Sequence, residues 1–316
     1  MHIGIIGAGA LGSLLAVRLH QSGQHVIVFH KNPDTVKRIR ETGIILRNIS
    51  GKTGHETIEA QESLSAHVAD LELIIVAVKA YDTRRVGRDL KASKPRMTTV
   101  LTLQNGLGNI ETLQHFLGQH RILGGSTTEA SLFVRPGYVI HTGKGITQLG
   151  ELNGKISNRA AVIQQVFSNA GFKTKLSTNI HGAIWSKAII NCAINPITAL
   201  TGLRNGELLQ RKELLELAKL IIDEGTGVAE RCRVHLGSPG PSVLFPRVLR
   251  ATTLNKSSML QDLERGKKTE IEELNGTISK IAHKFGLPSC YNSLLATVIS
   301  QIKLLGDYYD GRPVAK

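Results

Sequence analysis

The chain opens with His2-Ile3-Gly4-Ile5-Ile6-Gly7-Ala8-Gly9-Ala10-Leu11-Gly12-Ser13-Leu14-Leu15-Ala16, an apolar run that breaks into spaced glycines and resumes at helical spacing. A short β-rich run closed by glycine reads as a buried strand ending in a turn, and Leu11 to Gln21 reads as a helix. Gly7, Gly9 and Gly12 form a GxGxxG sequence set directly between the two. Each glycine has a task there: Gly7 permits the tight turn, Gly9 lets a pyrophosphate approach the backbone, and Gly12 lets helix and strand pack closely. The free amides at the helix start then bind the anion. This context predicts a dinucleotide cradle at Gly7, Ala8, Gly9, Ala10, Leu11 and Gly12.

Working outward, His25 to Phe29 is a second β-branched, apolar run, ending in His30-Lys31-Asn32. An NAD site usually places a carboxylate there for the ribose hydroxyls, whereas an NADP site places a cation. No acid occupies that place. Lys31 is therefore expected to pair with a 2′-phosphate, with His30 or Asn32 assisting, and the cofactor is expected to be NADP(H). Leu73 to Val78 and Thr98 to Leu103 read as further buried strands, each followed by a helical segment. This β-α-β series implies an α/β fold with an N-terminal Rossmann-type, doubly wound parallel sheet covered on both faces. Gly43 to Ile58 reads as an inserted hairpin, and residues 122 to 150 as short strands forming an antiparallel edge to the sheet.

From about Thr178 the strand signal gives way to long helical periodicities over Ile184–Ile194, Glu207–Cys232, Ser242–Ala251, Ile271–Phe285 and Tyr291–Leu305. The expected organisation is a dinucleotide-binding domain over residues 1–178 and a mostly helical substrate and catalytic domain over 179–316.

Composition agrees with two globular domains. The 316 residues are 41% hydrophobic and 20% charged, which excludes a disordered chain. No apolar run is long enough to cross a bilayer, and the first apolar stretch lacks the basic start and cleavage site of a secretory leader. A cytoplasmic location is expected. Cys192, Cys232 and Cys290 form no CxxC pair, so neither a metal site nor a disulfide framework is expected, and all three read as reduced and buried. The net charge of +14 comes from scattered basic residues with only 4% aromatics. That distribution offers no stacking platform for bases, so the charge reads as a solvated basic surface rather than a nucleic-acid site.

The chemistry-bearing residues gather on one helical segment, Ile184-Trp185-Ser186-Lys187-Ala188-Ile189-Ile190-Asn191-Cys192-Ala193-Ile194-Asn195-Pro196. Lys187, Asn191 and Asn195 are four residues apart and stack along a single face of an otherwise apolar helix. Buried polar groups are costly unless bound to something. They serve either a substrate or backbone groups in a domain interface, and composition alone leaves both readings open. A second polar cluster, Asn255-Lys256-Ser257-Ser258 with Thr269-Glu270-Ile271-Glu272, favours the substrate. Asn255 and Ser258 lie three apart at a helix start, and Glu270 is placed to orient the lysine or a hydroxyl.

Taken together, these segments resemble the ketopantoate reductase (2-dehydropantoate 2-reductase) family. The resemblance rests on Gly7 to Gly12, Val76-Ala77-Val78-Lys79-Ala80, Leu103-Gln104-Asn105-Gly106, the Lys187/Asn191/Asn195-Pro196 helix, Arg204-Asn205-Gly206-Glu207, Ser257-Ser258-Met259-Leu260-Gln261-Asp262 and Thr269-Glu270-Ile271. It implies NADPH-dependent reduction of 2-dehydropantoate to (R)-pantoate, a step towards pantothenate and coenzyme A. It further implies Lys187 as general acid and Glu270 as the acid that helps place substrate or cofactor. Asn191, Asn195, Asn205, Asn255 and Ser258 would join Lys187 in binding substrate, and Lys31, Lys79, Asn105 and Ala130 would join the glycine turn in holding cofactor. Where many members carry Arg this chain has Lys31, which keeps the charge and gives up the bidentate fork. Reduction of another 2-oxo acid, or a non-catalytic NADP sensor, stay as alternatives. The expected partner is a small 2-oxo acid, not nucleic acid or membrane, and the assembly stays open, a homodimer included.

Overall fold

A computed structural model of the chain describes residues 1–64, 70–94 and 98–309. Internal contacts divide the chain into two units, one of Met1–Gln104 with Asn109–Ile180 and one of Asn105–Gly108 with His181–Lys316. Residues 310–316 of the expected helical domain lie outside the described residues.

The strands of the first unit are β1 (His2–Ile6), β2 (His25–Phe29), β3 (Ile44–Arg47), β4 (Thr53–Glu56), β5 (Glu59–Gln61), β6 (Leu73–Val76), β7 (Thr99–Thr102), β8 (Ile122–Thr127), β9 (Ala130–Arg135), β10 (Tyr138–Gly143), β11 (Thr147–Glu151) and β12 (Thr174–Leu176). Its helices are α1 (Ala10–Gln21), α2 (Pro33–Thr42), α3 (Thr83–Ala92), α4 (Asn109–Leu117) and α5 (Asn158–Asn169). Eight strands form the main sheet in the order β12-β11-β8-β7-β6-β1-β2-β5. Pairing is parallel from β5 through β8; β11 then runs antiparallel to β8. Every residue of β6 and β7 is buried. Since neighbouring side chains point to opposite faces, both faces of the sheet are covered, as the unbroken apolar runs require. The chain steps from β1 to β2, then returns through β6 on the other flank of β1, so the order reverses there. This is the doubly wound arrangement, and its reversal point is where such sheets open a crevice.

The expected antiparallel edge is only half right. β11 supplies it, but β9 and β10 leave the main sheet and join the β3–β4 hairpin in a second sheet of order β4-β3-β10-β9. The reason lies in α1, whose Leu14, Leu15, Ala16, Val17 and Leu19 are all buried. A helix apolar around so much of its circumference needs cover on more than one side. The main sheet takes one side, and α1 also contacts β3, β9 and β10 of the second sheet.

The second unit contains α6 (Ile180–Thr201), α7 (Lys212–Arg231), α8 (Pro241–Ala251), α9 (Ser258–Glu264), a π-helical turn over Glu272–Gly276, α10 (Thr277–Lys284) and α11 (Cys290–Tyr309). Helix α6 is its axis: Ala188, Ile189, Ile190, Cys192, Ala193, Ile194 and Ile197 are all buried in one apolar cluster. Gly225 lets α7 approach closely, since a β-carbon there would lie 3.1 Å from Ile189. Pro196 sits inside α6 and cannot donate to the carbonyl of Cys192 four residues back. That carbonyl instead accepts from Asn275 Nδ2 at 2.9 Å. Asn275 also donates to Asn292 Oδ1 at 3.0 Å, and Asn292 Nδ2 donates to Glu224 Oε2 at 2.9 Å. The periodicity predicts one helix over Ile271–Phe285. Its first part is the π turn, whose wider coil brings Leu274, Asn275 and Gly276 all inside.

Burial of the cysteines differs from expectation. Cys192 is buried, Cys232 is half-buried, and Cys290, at the first position of α11, is exposed. The first turn of a helix has fewer neighbours than its middle, so an apolar residue type there is not thereby inside. All three are free thiols, and burial pushes Cys192 well above the ordinary thiol range. No helix among the described residues is long and apolar enough to cross a membrane.

Replacing Asn275 with Ala leaves the Cys192 carbonyl without a partner in a dry core. The expected cost is about 1–3 kcal/mol, read as a thermal midpoint several degrees below that of the unchanged protein. An unshifted midpoint would show that this carbonyl needs no partner.

Candidate active site

In the first unit the glycine turn has the geometry its sequence predicts. Gly7 has a φ of +114°, a conformation that L side chains rarely adopt, and a β-carbon there would lie 2.9 Å from the Ala77 carbonyl. Ala77 follows β6, so the turn sits at the reversal point of the sheet. At Gly12 a β-carbon would lie 1.8 Å from the Gly7 carbonyl oxygen, so only glycine lets α1 start this close to the strand. At Gly9, by contrast, a β-carbon meets nothing within 4 Å among the described residues. Helix α1 has no side-chain cap and no acid in its first turn, which leaves its start free to take an anion. A tight turn, open space above its middle glycine and an uncapped helix start fit a dinucleotide pyrophosphate.

The polar side chains at the end of β2 have partners within the first unit. Lys31 Nζ lies 3.0 and 2.9 Å from the two carboxylate oxygens of Asp82. Asn32 caps α2, its Oδ1 accepting from the Thr35 amide at 3.2 Å. His30 Nδ1 accepts the Asn32 amide, which puts the ring proton on Nε2, and burial, with Lys31 and Arg85 nearby, lowers its pKa. The turn bearing Lys79 meets Lys31 through Asp82, whose amide donates to the Lys79 carbonyl at 2.9 Å. Ala130 begins β9, paired in register with Gly143. Its neighbour Glu129 is buried against His141 at 2.7 Å.

In the second unit the structure brings Lys187, Asn105 and Glu270 together. Lys187 Nζ donates to Asn105 Oδ1 at 2.8 Å. Asn105 is held in turn by the π turn: Leu107 donates to the Glu273 carbonyl at 3.0 Å, and Gly106, with φ +83°, packs on the same carbonyl, where a β-carbon would lie at 2.7 Å. Desolvation lowers the pKa of Lys187 to about 8, against the opposing charge of buried Glu270. Burial also raises Glu273 above the ordinary carboxylate range, with Glu270 and Glu272 adding to the effect. Asn191 and Asn195 follow Lys187 along α6, a row about 12 Å long at helical rise. Among the described residues no hydrogen bond engages the side-chain amides of either.

The remaining polar residues form a second group. The Asn205 amide donates to the Asn255 carbonyl at 3.0 Å and its Nδ2 to Thr252 Oγ1 at 3.0 Å, while its Oδ1 is buried without a partner among the described residues. Ser257, not Ser258, caps α9, accepting from the Leu260 amide at 3.2 Å; Ser258 is exposed. Thr198 Oγ1 donates to Ser257 Oγ at 2.7 Å, which ties the far end of α6 to this group. The contacts of Asp82 with Lys31 and of Thr198 with Ser257 were not legible in sequence, because the partners lie 51 and 59 residues apart and leave no local pattern. Among the described residues no group of three His, Cys, Asp or Glu side chains is placed to hold a metal ion.

The first unit thus carries a glycine turn at the reversal point of its sheet, and the second a buried ammonium with a buried carboxylate nearby. The family described as ketopantoate reductase PanE/ApbA matches residues 3–154, and its C-terminal counterpart matches 179–303. The chain belongs to that family. A 2-dehydropantoate 2-reductase of Archaeoglobus fulgidus is 34% identical over 299 residues, covering 95% of this chain and 97% of that protein. Among solved structures, a ketopantoate reductase of Ralstonia eutropha JMP134 is 30% identical with a TM-score of 0.87, covering 96% of this chain and 99% of that one. A ternary structure of D-mandelate dehydrogenase with NADH is 26% identical with a TM-score of 0.88 over the same shares.

The opposition of desolvation and Glu270 at Lys187 can be read directly. An NMR titration of the Lys187 ammonium should give a midpoint near 8. Glu270→Gln should move that midpoint down, because it removes the charge that favours the protonated form. A midpoint that stays or rises in the variant would detach Glu270 from Lys187.

Proposed function

We propose that the chain reduces 2-dehydropantoate to (R)-pantoate with NADPH, in the cytoplasm, on the route to pantothenate and coenzyme A. The observation that carries this reading is the Lys187 ammonium, lowered to about 8 and set on the same helix face as Asn191 and Asn195. An ordinary lysine is too weak an acid to give up its proton readily near neutrality; one titrating near 8 is matched to the task. When bound, the reduced nicotinamide supplies the hydride.

The chain's own residues do the rest. Lys187 stabilises the negative charge that grows on the carbonyl oxygen and then delivers its proton to that oxygen. Asn105 Oδ1 fixes the direction of the ammonium, and Glu270 keeps it protonated before substrate arrives. Asn191 and Asn195, whose side-chain amides have no hydrogen bond among the described residues, offer donors and acceptors to the substrate's carboxylate and hydroxyl. Asn205, Asn255 and Ser258 complete the substrate-binding set, and the Asn205 Oδ1, without a partner among the described residues, suits a substrate hydroxyl. The turn from Gly7 to Gly12 holds the pyrophosphate, and Lys31, Lys79, Asn105 and Ala130 hold the rest of the cofactor.

Reduction of a different 2-oxo acid is the second reading, favoured by the TM-score of 0.88 to a protein named for D-mandelate, a 2-hydroxy acid. Turnover compared on 2-dehydropantoate and phenylglyoxylate separates the two.

Spectrophotometric NADPH oxidation with 2-dehydropantoate should lose about 10²–10⁴-fold in turnover in Lys187→Ala, with the circular dichroism of the unchanged protein. Because the general acid must carry its proton, activity should fall as pH rises through about 8. Near-normal turnover in the variant would remove Lys187 from the mechanism.

A further inference from the structure

We propose that Asp82 sets how strongly this chain discriminates between phosphorylated and unphosphorylated nicotinamide dinucleotides. The inference rests on the reading of the glycine turn as a cofactor site. The end of β2 carries a cation and no acid, which by itself reads as a 2′-phosphate site. The structure supplies the missing acid from elsewhere in the chain. Asp82, at the start of α3 and 51 residues from Lys31, engages the Lys31 ammonium with both oxygens at 3.0 and 2.9 Å. The Arg85 Nε lies 3.6 Å from the same carboxylate, and Arg85 also reaches Asp89 at 3.0 Å.

The cluster's cations are therefore already matched by carboxylates. Lys31 and Arg85 face Asp82 and Asp89, and His30 is pushed towards its neutral form by burial and by the same two cations. A 2′-phosphate brings about −1.5 to −2 charges. To be bound by Lys31 it must share the ammonium with Asp82 and lie close to that carboxylate, which repels it. A ribose with a free 2′-hydroxyl meets no such opposition. Its O–H can donate to Asp82, the role that an acid at the end of β2 fills in NAD sites. Asp82 thus holds down the preference that Lys31 confers, and both dinucleotides are admitted. Lysine in place of arginine fits this balance, because an ammonium with two of its three donors turned to Asp82 keeps one for a phosphate, whereas a guanidinium carries five.

The test is direct binding of NADPH and NADH to the full chain, followed by the fluorescence of the bound reduced nicotinamide, so that no turnover is needed. Asp82→Asn keeps the shape and removes the charge. It should raise the ratio of NADPH to NADH affinity by about tenfold, through tighter NADPH and weaker NADH binding. Asp82→Ser, which also suits a helix start, should shift the ratio in the same direction, and Lys31→Ala in the opposite one. A ratio unchanged or lowered in both Asp82 variants overturns the proposal, whichever dinucleotide the unchanged protein prefers. An unchanged protein that favours NADH, with a ratio that still rises on loss of the carboxylate, overturns the NADPH preference and leaves the role of Asp82 standing.

Discussion

A lysine ammonium drawn out of water and held by one amide oxygen and one carboxylate is the constraint on which the helical unit is organised. Desolvation alone would drive the proton off, and a full ion pair in solvent would hold it too tightly. Lys187 lies between these limits because Glu270 is buried with it while Asn105 offers a dipole rather than a charge. Asn105 can do so only because its loop is pinned to the π turn at Glu273. The same turn carries Asn275, which closes the carbonyl that Pro196 leaves open on α6. The helix that carries the ammonium and the loop that orients it are thus fastened to one short irregular segment, an arrangement often met where a helix widens near chemistry.

Much of the architecture was legible in the amino-acid order. Buried strands declared themselves as unbroken apolar runs, and the glycine spacing announced a turn whose geometry the structure bears out at Gly7 and Gly12. The length of α6 was under-read, since Pro196 looks like a terminator. It is tolerated because a side chain from 79 residues further on replaces the lost donor, and no local pattern reveals that. Pairing of β3 with β10 was equally hidden, because register between distant segments is a property of the packed sheet.

The candidate site divides along the same line. Lys187, Asn191 and Asn195 are marked by four-residue spacing on an apolar helix, a local signal. Asp82 carries no such mark. An aspartate beginning a helix is ordinary, and its meaning appears only when the fold sets it against Lys31. Ser257 rather than Ser258 caps α9 for a comparable reason: adjacent serines are indistinguishable in sequence, and only Thr198 at 2.7 Å shows which of them is turned inward.

The second sheet has a bearing on the order in which the protein is made. Helix α1 leaves the ribosome well before β9 and β10, yet part of its cover comes from these strands, which end at Gly143. Until that point is translated the helix must keep oily surface unshielded, or shield it with something else. The nascent first unit cannot mature strictly in chain order, and waits for the return of a distant ribbon to seal α1.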